Sequence, residues 1–135
     1  MLLKWKNISS NISALRSCNS LIEYNKTIAR FACKYLSPTK DEYSEKWCDA
    51  KNCVRCNCDK FDGYVSINAL AKALTIYNRF YNWYDRIDII TTDMLRLWEI
   101  GKVKPPLEYI ILLADICSLN LDEILFSDFS RIKVK

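Results

Sequence analysis

The 135-residue chain contains no histidine and only two glycines, Gly63 and Gly101. Without imidazole it cannot assemble a Ser-His-Asp triad, a Cys-His pair or an HExxH zinc site. Two isolated glycines cannot build a phosphate loop or a dinucleotide fingerprint, which need several for close backbone approach. No apolar run approaches the roughly 20 residues that cross a bilayer. The opening MLLKWK also lacks the apolar stretch of a signal peptide. These absences predict a soluble, cytoplasmic protein with no membrane partner. On that reading the sequons at Asn7, Asn11 and Asn25 are accidents of composition.

What is present is a foldable composition, 50% hydrophobic and 27% charged. The net charge of +4 is uneven: residues 1–60 hold 11 Lys/Arg against 6 Asp/Glu, whereas residues 61–135 hold 9 against 10. Seven cysteines, an odd number, argue against a full disulfide framework. Four of them, Cys48, Cys53, Cys56 and Cys58, fall within 11 residues of a stretch without periodicity. Such a loop needs a staple. Four thiolates around one tetrahedral zinc would supply a closed, structural site with no open position for a catalytic water. The only CxxC is Cys53 to Cys56, and Cys33 is a possible substitute ligand. An iron-sulfur cluster and free thiols or a local disulfide stay open as alternatives. Cys18 and Cys117 read as small buried hydrophobes. A nucleophilic cysteine would lack a general base, so the chain is read as a non-enzyme.

Helical periodicity covers the rest. Ile8, Ile12, Leu15 and Cys18 recur at helical spacing near the start. Ser20 and Glu23 can form a capping box ahead of a helix over about 20–36, with Leu21, Tyr24, Ile28, Phe31, Ala32 and Tyr35 on its apolar face. Pro38 stops it. Ser66 can cap a helix carrying Ile67, Leu70, Ala71, Leu74 and Tyr77. Phe80, Tyr81, Trp83, Tyr84 and Ile87 follow, so 66–88 is one bent helix or two. Thr91 or Thr92 can cap the next helix, through Met94, Leu95 and Trp98, which ends at Gly101. Pro105-Pro106 opens another, with Leu107, Ile110, Ile111, Ala114 and Cys117 as its buried face. Asn120 and Glu123 can cap a last helix. The aromatics from Tyr77 to Tyr84 read as core or dimer surface ahead of a single-strand stacking platform.

The gapless stretch from Ile90 to Leu125 resembles the lambda-repressor and Cro (XRE) type of helix-turn-helix. Trp98-Glu99, Gly101, Pro105, Leu113-Ala114 and Asp122-Glu123 fall on that family's motif positions, while Ser118 stands where a glycine is common. The resemblance implies a mainly α fold in which residues 65–135 form a five-helix bundle, with helices near 66–78, 80–88, 91–99, 106–117 and 120–126. Residues 1–64 are then a helical, cysteine-stapled extension. A second register makes Ser66–Ala71 the family's second helix and 75–89 an insertion; the first needs no gap and is preferred.

By the same resemblance, helix 91–99 is the recognition helix of a small transcriptional regulator that binds double-stranded DNA as a homodimer. Thr91, Thr92 and Asp93 would meet base edges or phosphate, and Arg96 a guanine. Lys102 and Lys104 in the following loop would pair with phosphates. The alternative is a protein-interaction module or inhibitor from a phage or other mobile element. An Arg96-centred patch joined by N-terminal lysines would favour DNA; an uncompensated Asp93 would favour a protein partner.

Overall fold

The computed structural model describes residues 3–36 and 65–129. Cys48, Cys53, Cys56 and Cys58, and with them the expected zinc staple, lie outside the described residues. Those described are mainly helical, with six α-helices and no strand among them. The helices are α1 (Trp5–Ser17), α2 (Ile22–Leu36), α3 (Ile67–Tyr81), α4 (Thr92–Glu99), α5 (Leu107–Ile116) and α6 (Leu121–Phe126), with a 3-10 turn at Asn19–Leu21 leading into α2.

Of the polar starts expected from the sequence, those at Ser66, Thr91 and Asn120 are in place, whereas Ser20 lies in the 3-10 turn ahead of α2 with its Oγ 3.0 Å from Cys18 Sγ. Ser66 Oγ accepts from the Ala69 N–H at 3.1 Å and Thr91 Oγ1 from the Met94 N–H at 3.1 Å. The Glu123 carboxylate accepts from the Asn120 N–H at 3.1 Å as part of a capping box. Each satisfies a helix N–H that has no partner within its own helix. Gly101 ends the α4 segment at φ +82°, a conformation open to glycine without the steric cost of a Cβ.

Residues from both sides of the 64/65 boundary share one core. Ile8, Ile12 and Leu15 of α1 and Ile28 of α2 lie with Leu70, Leu74, Leu95, Ile110, Leu113 and Ile124, all essentially inaccessible to solvent. The long α2 packs along α3, while α1 lies against α2, α4 and α6. Trp98 is a core anchor, with its ring 5.2 Å from Tyr109 and 6.3 Å from Tyr84. Burial pushes the Cys117 thiol up to about 12, so it sits in the core as an inert apolar group. Cys18 is half-buried, with its Sγ 3.0 Å from Ser20 Oγ.

Two expectations are corrected. There is no helix at 80–88: α3 continues to Tyr81, and Asn82 closes it in the left-handed region at φ 48°. Side chains of α3 then supply the partners that a helix would have supplied. Asn78 Oδ1 accepts from the Tyr84 N–H at 2.9 Å and its Nδ2 donates to the Ile87 carbonyl at 3.0 Å. Thr75 Oγ1 accepts from the Ile90 N–H at 2.9 Å. Asn and Thr compete with the helix ladder in this way, and here they hold an ordered loop. Of the aromatics read as core or dimer surface, Phe80 and Tyr81 stand at the surface and Tyr84 is buried. Second, the buried face of α5 carries Tyr109, Ile110, Leu112, Leu113 and Ala114, while Leu107 and Ile111 face outward. Most of α5 is apolar, and only Glu108 and Asp115, seven residues apart, mark the outward side on which Ile111 also lies.

Ser118, at the glycine-preferring position after α5, has φ 54°. A residue with a Cβ is strained there. Ser118→Gly is therefore expected to raise stability by about 1 kcal/mol, read as a higher urea midpoint at unchanged slope. An unshifted midpoint would show that the turn relaxes without cost.

Candidate nucleic-acid interface

The outward face of α4 follows from its burial pattern. Leu95 and Trp98 point into the core, which turns Asp93, Arg96, Leu97 and Ile100 to solvent. Arg96 Nη1 lies 3.0 Å from Asp93 Oδ1, and both side chains are largely exposed. The acid that would oppose a nucleic acid is thus compensated within its own helix. Because the pair is solvated, it is weak and readily exchanged for another partner.

Thr91 is exposed, but its hydroxyl is engaged in the cap. Thr92 Oγ1 lies 3.3 Å from Asn68 Oδ1, tying the start of α4 to α3. Lys102 and Lys104 are exposed in the loop after α4, where the Lys102 and Val103 N–H groups donate to the Leu97 carbonyl at 3.1 and 3.2 Å.

The tertiary fold brings the other end of the chain to this loop. A Cβ placed on Gly101 would meet Ser9 at 3.7 Å and the Lys6 side chain at 4.0 Å, so the loop rests against the first turns of α1. Lys104 Nζ lies 5.5 Å from the centre of the Trp5 ring. Lys4 and Lys6, which flank Trp5, are exposed alongside it. Four lysines, Lys4, Lys6, Lys102 and Lys104, therefore gather at the C-terminal end of α4.

One ion pair positions this face. Arg16 of α1 holds the Glu99 carboxylate through two parallel contacts of 2.8 Å, Nε to Oε2 and Nη2 to Oε1, and its Nη1 donates to the Val65 carbonyl at 3.1 Å. The side chains are only 12% and 6% exposed. The guanidinium fork thereby fixes the last turn of α4 against α1 and against the chain entering α3. Burial, with Glu99 as the next cause, keeps the Tyr109 hydroxyl protonated well above its ordinary range.

Sequence reasoning placed the loop lysines and Arg96 but did not place Lys4 and Lys6 by position. The N-terminal lysines entered only as a group that would favour DNA if it joined Arg96, without a place in space.

Among the described residues no cluster of His, Cys, Asp and Glu could hold a metal ion, and no helix is long and apolar enough to cross a membrane. No protein family, no curated protein and no solved structure matches this chain.

Proposed function

We propose that the protein binds double-stranded DNA sequence-specifically as a small transcriptional regulator, with the outward face of α4 in the major groove. The observation that carries this is the gathering of Lys4 and Lys6 with Lys102 and Lys104 beside that helix. Lysines at this position neutralise phosphates and set the register of the helix on the duplex. Arg96, released from Asp93, supplies the bidentate donor that reads guanine. With 82–90 a loop, α3 is the helix directly ahead of α4, which supports the second of the two registers, with α3 running on to Tyr81 into the stretch read there as an insertion. Binding is as a homodimer on half-sites about one helical turn apart, the usual arrangement for such modules.

Selection of duplexes from a random pool, repeated with Arg96→Ala, tests this. A symmetric motif should be enriched, and the variant should lose about 1–3 kcal/mol of discrimination at one position of each half-site. A pool that stays random with folded wild-type protein would sink the DNA reading.

A protein-interaction module is the second reading. It is favoured by exposed apolar side chains on α4 and just after it, Leu97, Ile100 and Val103, with Leu107 and Ile111 exposed on α5. Failure of duplex selection would make such a partner the working assignment.

The spacing of Cys48, Cys53, Cys56 and Cys58 supports one structural zinc per chain. Elemental analysis of the purified protein should find it, and Cys56→Ser should lose it. Metal-free protein with four titratable thiols would reject the site.

A further inference from the structure

An open groove of about 420 Å³ runs between α3 and the segment leading into α4, with Ala71, Ile76, Ile89 and Ile90 as its apolar lining. Lys72 and Arg79 are the only charged residues that line it. Seven residues apart, they stand on one face of α3, about 10 Å from each other along the axis. Both are exposed, and neither forms an ion pair with a described residue. Helix α3 carries no acid that could neutralise them.

The outward strip of α5 has the opposite charge at the same spacing. Glu108 and Asp115 are also seven residues apart, which again sets them about 10 Å from each other along the axis. Leu107 and Ile111, 49% and 48% exposed, lie on the same side of that helix. Neither acid forms an ion pair with a described residue, and α5 carries no cation. Among the described helices only α5 has two acids so spaced, with exposed apolar side chains beside them. Within one copy neither acid pairs with Lys72 or Arg79. A helix laid along the groove with this strip facing down would satisfy both cations and cover the apolar lining between them, the usual fit of an amphipathic helix to a groove.

We infer that the outward strip of α5 docks into the α3–α4 groove of a second copy of this chain, with Leu107 and Ile111 over the apolar lining and Glu108 and Asp115 against Lys72 and Arg79. This goes beyond the DNA-binding reading and does not rest on it. Because the two faces differ, the contact is reciprocal in a closed pair or head-to-tail in a longer assembly.

The test is sedimentation equilibrium of the full-length protein without DNA, over about 1–300 μM protein and at low salt, where charge pairs are least screened. The mass of the wild type should rise with concentration above that of one chain. Lys72→Glu/Arg79→Glu and Glu108→Lys/Asp115→Lys each set like charges face to face, which should weaken self-association on the order of a hundredfold. An equimolar mixture of the two variants should associate like wild type, because each groove then meets an α5 of opposite charge. That recovery requires both variants to be folded, which helical circular dichroism checks independently. If lysine on α5 prevents folding, Glu108→Gln/Asp115→Asn should still weaken association by about tenfold. A plateau at two chains makes the contact reciprocal and continued growth makes it head-to-tail; both support it. A wild type that stays monomeric throughout would overturn it, as would variants that associate like wild type, or folded variants whose mixture does not recover.

Discussion

Replacing Lys4, Lys6, Lys102 and Lys104 together with glutamine is expected to weaken duplex binding on the order of a thousandfold at 0.1 M salt and to flatten the salt slope by about 3.6. Each lysine that neutralises a phosphate releases condensed counterions, and four such contacts add in the slope. Glutamine is the substitution of choice because Lys104 also covers the Trp5 ring, 5.5 Å away. A long uncharged side chain keeps that cover and isolates the charge. Loss of affinity should not depend on sequence, since phosphates carry no base information. Fluorescence anisotropy of a labelled duplex over a range of salt concentrations reads both quantities. A quadruple variant with the wild-type slope would show that the quartet faces something other than DNA.

Breaking the Arg16–Glu99 pair should be the most damaging single polar change to the fold. Arg16→Met or Glu99→Leu alone is expected to cost about 3–5 kcal/mol, because each breaks a charge pair in a nearly closed site. The double variant, in which both charges are gone, should recover most of that loss. Arg16→Met also removes the donor to the Val65 carbonyl, so it should be the worse of the two. Urea unfolding followed by circular dichroism measures all three variants. Single variants within 1 kcal/mol of wild type would mean that solvent reaches the pair and screens it. The functional consequence is specific, since this pair aligns the last turn of α4 with α1. Its loss should therefore also loosen the junction at which the loop lysines meet Lys4 and Lys6.

Much of the architecture was legible as local pattern. The starts of α3, α4 and α6 were readable because Ser66, Thr91 and Asn120 act on N–H groups only three residues away. The Ile8, Ile12 and Leu15 spacing and the Leu70 and Leu74 spacing translate directly into buried faces. In the candidate site, Arg96 and the two loop lysines were likewise visible from their place in the helix and the loop after it.

What stayed hidden depended on partners distant in sequence. Asn7, Asn11 and Asn25, read from the sequence only as accidental sequons, each hold backbone. Asn11 is fully buried on the same face as Ile8, Ile12 and Leu15. It donates to the Ile124 and Ser127 carbonyls at 2.8 Å and accepts from the Phe129 N–H at 3.1 Å, tying α1 to the chain after α6. Asn7 donates to the same Ser127 carbonyl at 2.8 Å. Asn25 donates to the Leu15 carbonyl at 2.7 Å, at the end of α1. A polar residue in the buried phase of an amphipathic helix was the available signal.

The sequence by itself determined where helices begin and which stripes are apolar, because capping and amphipathic burial act within one or two turns of the chain. The tertiary structure decided that 82–90 is a loop, since Thr75 and Asn78 offer its backbone better partners than a helix would. It also decided which of the many apolar side chains of α5 are covered. And it alone placed Lys4 and Lys6 against a loop nearly a hundred residues away, because charge on a linear chain has no position until packing brings its two ends together.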